Sequence, residues 1–113
     1  KKFKITIINC PTIRDKEKVA LSTRNKLLSN KSYEKASHIA KYFMSLKNNL
    51  NINNKNLSFI LKKNIKKLEN FYKIKIDYVE FRNEKDLAFA KSRKKYRLFI
   101  AYNIDNVRLI DNF

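Results

Sequence analysis

Residues 57–81, LSFILKKNIKKLENFYKIKIDYVEF, change their hydrophobic period part-way along. Up to Tyr72, the residues Leu57, Ile60, Leu61, Ile65, Leu68 and Phe71 recur at the three- and four-residue intervals of one helical face, which predicts a helix over 57–72. Lys62, Lys63, Lys66 and Lys67 fall on the other side as a solvated basic face. From Ile74 the alternation is that of a strand, with Ile74, Ile76 and Tyr78 on one side and Asp77, Val79 and Phe81 between them. Helix and strand therefore belong to one domain.

Upstream, Asn48 to Asn56 is an asparagine-rich connection without glycine, in which asparagine can take the left-handed conformations of a turn. Before it, Ala36, Ile39, Ala40, Phe43 and Met44 mark the buried stripe of a helix from about Lys31 to Leu46, capped by Ser29 or Asn30. His38 falls between stripe positions with no second ligand at metal spacing, and reads as a surface or half-buried helical histidine. Downstream come a polar connection with a turn of helix at Asn83–Leu87, a basic link at Ala88–Lys95, and two strands, Tyr96–Tyr102 and Val107–Asp111. The short spacer Asn103-Ile104-Asp105-Asn106 joins them as a hairpin. The order helix, helix, strand, strand, strand predicts an α+β fold, with helices on one face of a small antiparallel three-stranded sheet. The β-branched run Phe3–Cys10, stopped by Pro11, is a further expected strand without a partner in this chain. Such an orphan strand is an edge-pairing liability, so dimerisation through it is expected.

At 113 residues the chain is one domain, and with 43% hydrophobic residues it can bury a core. No apolar run reaches the roughly 20 residues of a membrane span. There is no signal-peptide pattern, and a chain that opens on Lys1-Lys2 is expected to be a piece of something longer. The single cysteine, Cys10, forms no internal disulfide and reads as packing in a reducing, cytoplasmic setting. The formal charge of +17 suggests nucleic acid. However, the lysines are spread along the whole chain, and heavy use of Lys, Asn, Ile, Phe and Tyr is what an AT-rich genome writes into any protein. A small basic nucleic-acid-binding module is the alternative reading, drawing on Phe59, Tyr72, Tyr78 and Phe99. It lacks a recognition signature, and most of those aromatics fall on expected core positions.

Chemistry concentrates in Pro11–Leu28. After Pro11 and a charged loop at Arg14–Lys18, read as a surface connection, Leu21-Ser22-Thr23-Arg24-Asn25 places two hydroxyls, a guanidinium and an amide beside one short helical turn at Lys26–Leu28. These donors suit an oxyanion, phosphate above all. On spacing alone, Ser, Thr and Asn near a helix start are more often caps than ligands, with Asn25 or Thr23 as a cap for the short turn.

Pro11-Thr12-Ile13-Arg14 and Ala20-Leu21-Ser22-Thr23-Arg24-Asn25-Lys26-Leu27-Leu28 resemble the P-T-V-R…L-A-M-S-S-R-N-x-Y-L stretch of the pantoate–beta-alanine ligase family. Asp77-Tyr78-Val79-Glu80-Phe81-Arg82, Arg97–Ala101 and Val107–Asn112 are similar to that family's D-Y-x-E-I-R and L-V-A-A…T-R-L-I-D-N strands, in the same order. The resemblance implies the C-terminal, ATP-covering lid domain (11–113), preceded at 1–10 by the last strand of a Rossmann-like domain absent from this chain. It implies a ligase that joins pantoate to beta-alanine through pantoyl adenylate, with ATP as substrate, magnesium assisting, and a homodimeric full-length enzyme. Pantoate and beta-alanine would bind the absent domain, so this chain would be inactive alone, with no membrane or specific nucleic-acid partner. Carried across, Ser22 and Arg24 would be the catalytic donors to the ATP phosphates in a KMSKS-like loop, with Thr23 keeping the hydroxyl of a family serine. The backbones of Ile13 and Leu21 would face the adenine. Lys18 stands where the family has a glycine, and Asp105-Asn106 where its last hairpin has glycines.

Overall fold

Ser29 starts the first long helix. Its Oγ accepts the Ser32 backbone N–H at 3.1 Å and its hydroxyl donates to Ser32 Oγ at 3.0 Å, which meets part of the helix start's need for partners. In the computed structural model, which describes residues 4–6, 8, 10–49, 55–90 and 96–113, this helix, α1, spans Asn30–Asn49. Ala36, Ile39, Ala40 and Phe43 are buried, as their stripe predicts. Helix α2 spans Leu57–Tyr72, the predicted bounds. It closes on Lys73, whose left-handed conformation (φ 56°) lets its N–H reach the Glu69 carbonyl.

Of the predicted α2 face, Leu57, Leu61, Ile65 and Leu68 join or pack against the core, and Ile60 and Phe71 do not. Phe71 is 75% exposed and meets the Tyr72 ring edge-on at 4.8 Å.

Strands β1 (Lys75–Asn83), β2 (Tyr96–Ile104) and β3 (Val107–Asn112) form an antiparallel sheet in the order β1-β2-β3. The α+β expectation stands. The face of β1, however, is not the one plain alternation predicts. Ile76 pairs with Tyr102 and Tyr78 with Ala101, so Asp77 is an extra, bulged residue. The bulge inverts the alternation: Ile74 and Ile76 are buried before it, Val79 and Phe81 after it, while Tyr78 turns outward. Asp77 then accepts Arg108 Nε of β3 at 2.9 Å. The β2–β3 turn uses Asp105 and Asn106 at φ 47° and 66°, the paired left-handed geometry of a two-residue hairpin. Asp105 also accepts the Ser32 hydroxyl, which ties the turn to the start of α1.

At 83–87 the expected turn of helix is a single one: the Leu87 N–H donates to the Asn83 carbonyl at 3.0 Å, and Leu87 itself takes φ 58°, which ends the winding there. It brings Phe89 opposite Arg82, with the guanidinium 3.7 Å from the ring centroid. Ile39 and Phe43 of α1 and Leu68 of α2 share one core with Phe81, Leu98 and Ile100 of the sheet. Of the expected leading strand, Lys4–Thr6, Ile8 and Cys10 are described and pair with no strand among the described residues; Phe3, Ile7 and Asn9 lie outside them. So do residues 50–54 of the asparagine-rich connection and 91–95 of the basic link. No helix among the described residues is long and apolar enough to cross a membrane.

Candidate functional site

The stretch 14–18 is a built loop, which corrects the surface-connection expectation. Asp15 N–H donates to the Val19 carbonyl and Leu21 N–H to the Ile13 carbonyl, both at 3.0 Å, so that Arg14 faces Ala20 in a miniature hairpin. The Asp15 carboxylate folds the tip: its Oδ1 accepts the N–H of Glu17 at 2.9 Å and of Val19 at 3.0 Å, and its Oδ2 accepts the Tyr33 hydroxyl of α1. Arg14 clamps the hairpin to β3. Its two Nη atoms bind the two Asp111 oxygens at 2.8 Å each, Nη2 also reaches the Asn112 carbonyl at 2.8 Å, and the guanidinium stacks 4.5 Å from the Phe113 ring centroid.

The Asp15 contact pushes the Tyr33 phenol up to about 12, the hydrogen bond being the largest cause, followed by burial and by the charges of Asp15 and Glu17. A raised folded-state value stabilises the fold below pH 10, and that contribution fades as pH climbs from 10 towards 12, where the unfolded chain loses its proton first. Tyr33→Phe is expected to cost about 1.5 kcal/mol near neutrality, as loss of a hydrogen bond to a charged acceptor does. It should also flatten this part of the alkaline slope, read by urea melts between about pH 8 and 11.

The clamped hairpin delivers the donor cluster. Ser22 caps a 3₁₀ turn, Thr23–Leu27: its Oγ accepts the Arg24 N–H at 3.2 Å and its carbonyl accepts the Asn25 N–H at 3.1 Å. The cap is thus Ser22 and not Asn25 or Thr23, which lie inside the turn; the Asn25 side-chain amide donates to the Ala20 carbonyl at 2.9 Å. Capping uses a lone pair of Ser22 and leaves its O–H proton to donate outward. Ser22, Thr23 and Arg24 are all exposed, and the Arg24 guanidinium rests on the Arg108 carbonyl of β3 at 3.2 Å.

Ser22, Arg24 and Asn25 border a cleft of about 230 Å³, with Tyr102, Leu109 and Ile110 on the sheet side. Tyr102 is held protonated there, its phenol raised first by burial and then by the Asp111 carboxylate. Ile13 and Leu21 stand side by side with exposed side chains, 70% and 62%. The structure therefore brings Leu21, Ser22 and Arg24 to one cleft beside the edge strand β3, with Ile13 paired to Leu21 and Thr23 exposed between Ser22 and Arg24. Sequence reading missed Arg14, Asp15 and Tyr33, which hold them there.

A family model described as pantoate-beta-alanine ligase matches residues 1–113. The chain belongs to the pantoate-beta-alanine ligase family. It is 36% identical over 112 residues to the pantothenate synthetase of Thermotoga petrophila, a match covering 96% of this chain and 39% of that one. With the Clostridium acetobutylicum pantothenate synthetase it is 35% identical, over 98% of this chain and 40% of that one. The chain thus spans about two fifths of the length of these curated relatives.

Among solved structures, the Francisella tularensis pantoate-beta-alanine ligase complexed with beta-gamma ATP and beta-alanine superposes with a TM-score of 0.62 at 30% identity, over 94% of this chain and 32% of that one. The Thermus thermophilus enzyme shares the fold, with a TM-score of 0.65 at 19% identity over 94% and 38% of the two chains. Lys18, the position that the resemblance sets against a glycine, takes the glycine-like conformation at φ 72°. Lys18→Gly is therefore expected to raise the unfolding free energy by about 0.5–1 kcal/mol, measured by thermal melt, because a side chain in this region is disfavoured.

Proposed function

We propose that this chain is the ATP-covering lid domain, residues 11–113, of a ligase that condenses pantoate with beta-alanine through pantoyl adenylate, releasing AMP and pyrophosphate. The observation that carries the reading is the exposed run Ser22-Thr23-Arg24 at the mouth of the cleft, held from behind by the Arg14 clamp. In this reading Ser22 O–H and the forked Arg24 donate to phosphate oxygens, Thr23 adds a second hydroxyl, and the Ile13–Leu21 edge lies along the adenine. Donors fixed before reaction favour the charge that grows on departing pyrophosphate, and closure keeps water from a hydrolysable adenylate.

Magnesium would arrive with the nucleotide. Among the described residues no three His, Cys, Asp or Glu side chains cluster as metal ligands, and the donor set here suits phosphate. Residues 1–10 would complete the sheet of a Rossmann-like catalytic domain that binds pantoate and beta-alanine, in a homodimeric cytoplasmic enzyme, and the lid alone would be inactive. The complex of the Francisella tularensis relative with beta-gamma ATP and beta-alanine supports this assignment.

A nucleic-acid module is the competing reading. Tyr72 packs against the core, while Phe59 and Tyr78 are exposed and Phe99 is half-buried, so the expected core placement of most of these aromatics does not hold. The deciding experiment supplies the catalytic domain of the Thermotoga petrophila relative in trans and follows pantoate-dependent exchange of pyrophosphate into ATP. Exchange restored on mixing supports the lid. No exchange, with salt-resistant and sequence-selective oligonucleotide binding, sinks it.

A further inference from the structure

Three successive turns of α1 grip the hairpin that carries Leu21 and Ser22. The Tyr33 hydroxyl donates to Asp15 Oδ2, Ser37 Oγ donates to the Glu17 carbonyl at 2.9 Å, and Lys41 Nζ meets Glu17 Oε2 at 3.0 Å. Residues 33, 37 and 41 recur at a spacing of four, so they form a polar stripe about 12 Å long beside the apolar one that covers the sheet. Covering a sheet does not require that stripe, and Ser37 is itself buried against the loop.

The grip passes forward through named bonds. Tyr33 orients the carboxylate of Asp15, and Asp15 fixes the amides of Glu17 and Val19. Val19 returns a carbonyl to Asp15 N–H and lines up Ala20 against Arg14, and the Ala20 carbonyl takes the Asn25 amide that seats the 3₁₀ turn. Lys18 adopts its left-handed conformation inside this frame, at a position where a free lysine would leave it.

We infer that Tyr33 and Asp15 are positioning residues: through the hairpin they hold Ser22, Thr23 and Arg24 in the single arrangement that opens on the cleft. The effect on ATP rests on the phosphate reading above; the effect on loop conformation does not.

The test uses the whole chain and its Tyr33→Phe variant, which removes one oxygen and keeps the ring. Amide hydrogen exchange at Val19, Leu21, Arg24 and Asn25 is expected to speed up about tenfold, and that of the β2 and β3 amides by no more than the lowered global stability allows. Glu69→Ala, which strips the Ile76 N–H of its acceptor on α2, serves as a destabilised comparison that should speed the sheet amides and leave those four at the wild-type rate. Unchanged exchange at the four amides in Tyr33→Phe, or the same acceleration of them in Glu69→Ala, overturns the inference.

Titrating ATP into the same samples, mixed with the catalytic domain of the Thermotoga petrophila relative, separates the two readings. Shifts of the Ser22–Arg24 amides that need about fivefold to tenfold more ATP in Tyr33→Phe support both. Faster exchange with no ATP-dependent shift in either protein leaves the positioning role standing and removes the phosphate role. Equal ATP response in both proteins overturns the link from Tyr33 to ATP.

Discussion

Asp111→Ala is expected to lower the unfolding free energy by about 3 kcal/mol, the lower end of what removing one partner of a buried ion pair costs. The side chains of Arg14 and Asp111 are only 14% and 8% exposed, and the pair is bidentate, so Arg14 would be left with a charge directed at a cavity. The estimate stays at the low end because Arg14 keeps the carbonyls of Asn112 and Lys18 and the face of Phe113. Asp111→Asn should cost less, since one oxygen still accepts. Arg14→Lys should cost nearly as much as Asp111→Ala, because an ammonium cannot meet both oxygens and stack on the ring together. Urea melts at neutral pH measure all three. A loss below about 1 kcal/mol for Asp111→Ala would mean that the pair behaves as a surface bridge.

This clamp also shows where reading the sequence stops. Arg14 and Asp111 lie 97 positions apart, and nothing local to either marks the other as its partner. Local signals fared better. The period change near Lys73 gave α2 its bounds and placed β1 after it, Ser29 marked the start of α1, and Asp105-Asn106 supplied the left-handed pair of the last turn. The inward face of β1 was lost to one bulged residue, because an alternation argument has no means of seeing an insertion at Asp77.

At the site, the residues that present donors were legible from their types and from the family resemblance. The residues that hold them were not. Tyr33, Ser37 and Lys41 have a visible four-residue spacing, yet a polar stripe on a helix ordinarily faces water, and only the fold shows the loop lying on it. Ser22 reads in sequence as a ligand and as the neighbour of a cap, and in the fold it is the cap itself.

That double use of Ser22 makes Arg24 the sharper probe of function. Ser22→Ala removes a cap as well as a donor, so about 1 kcal/mol of local stability goes with it and confuses the result. The Arg24 guanidinium is exposed, and its contact is the Arg108 carbonyl at 3.2 Å. Arg24→Ala should therefore leave the unfolding free energy within about 0.5 kcal/mol of wild type. In an active ligase assembled from this chain and a catalytic domain, the same change is expected to slow pantoate-dependent pyrophosphate exchange by about 10²–10³-fold, the usual cost of one oxyanion donor. Attack of beta-alanine on preformed pantoyl adenylate should slow far less, because no triphosphate is present in that step. Arg24→Lys should fall between, as it keeps the charge and loses the fork. Equal slowing of both steps would place Arg24 in general closure of the site, and slowing accompanied by a lowered melting temperature would make it structural. Only slowing confined to adenylate formation, in a protein of unchanged stability, fits a guanidinium that binds the departing pyrophosphate.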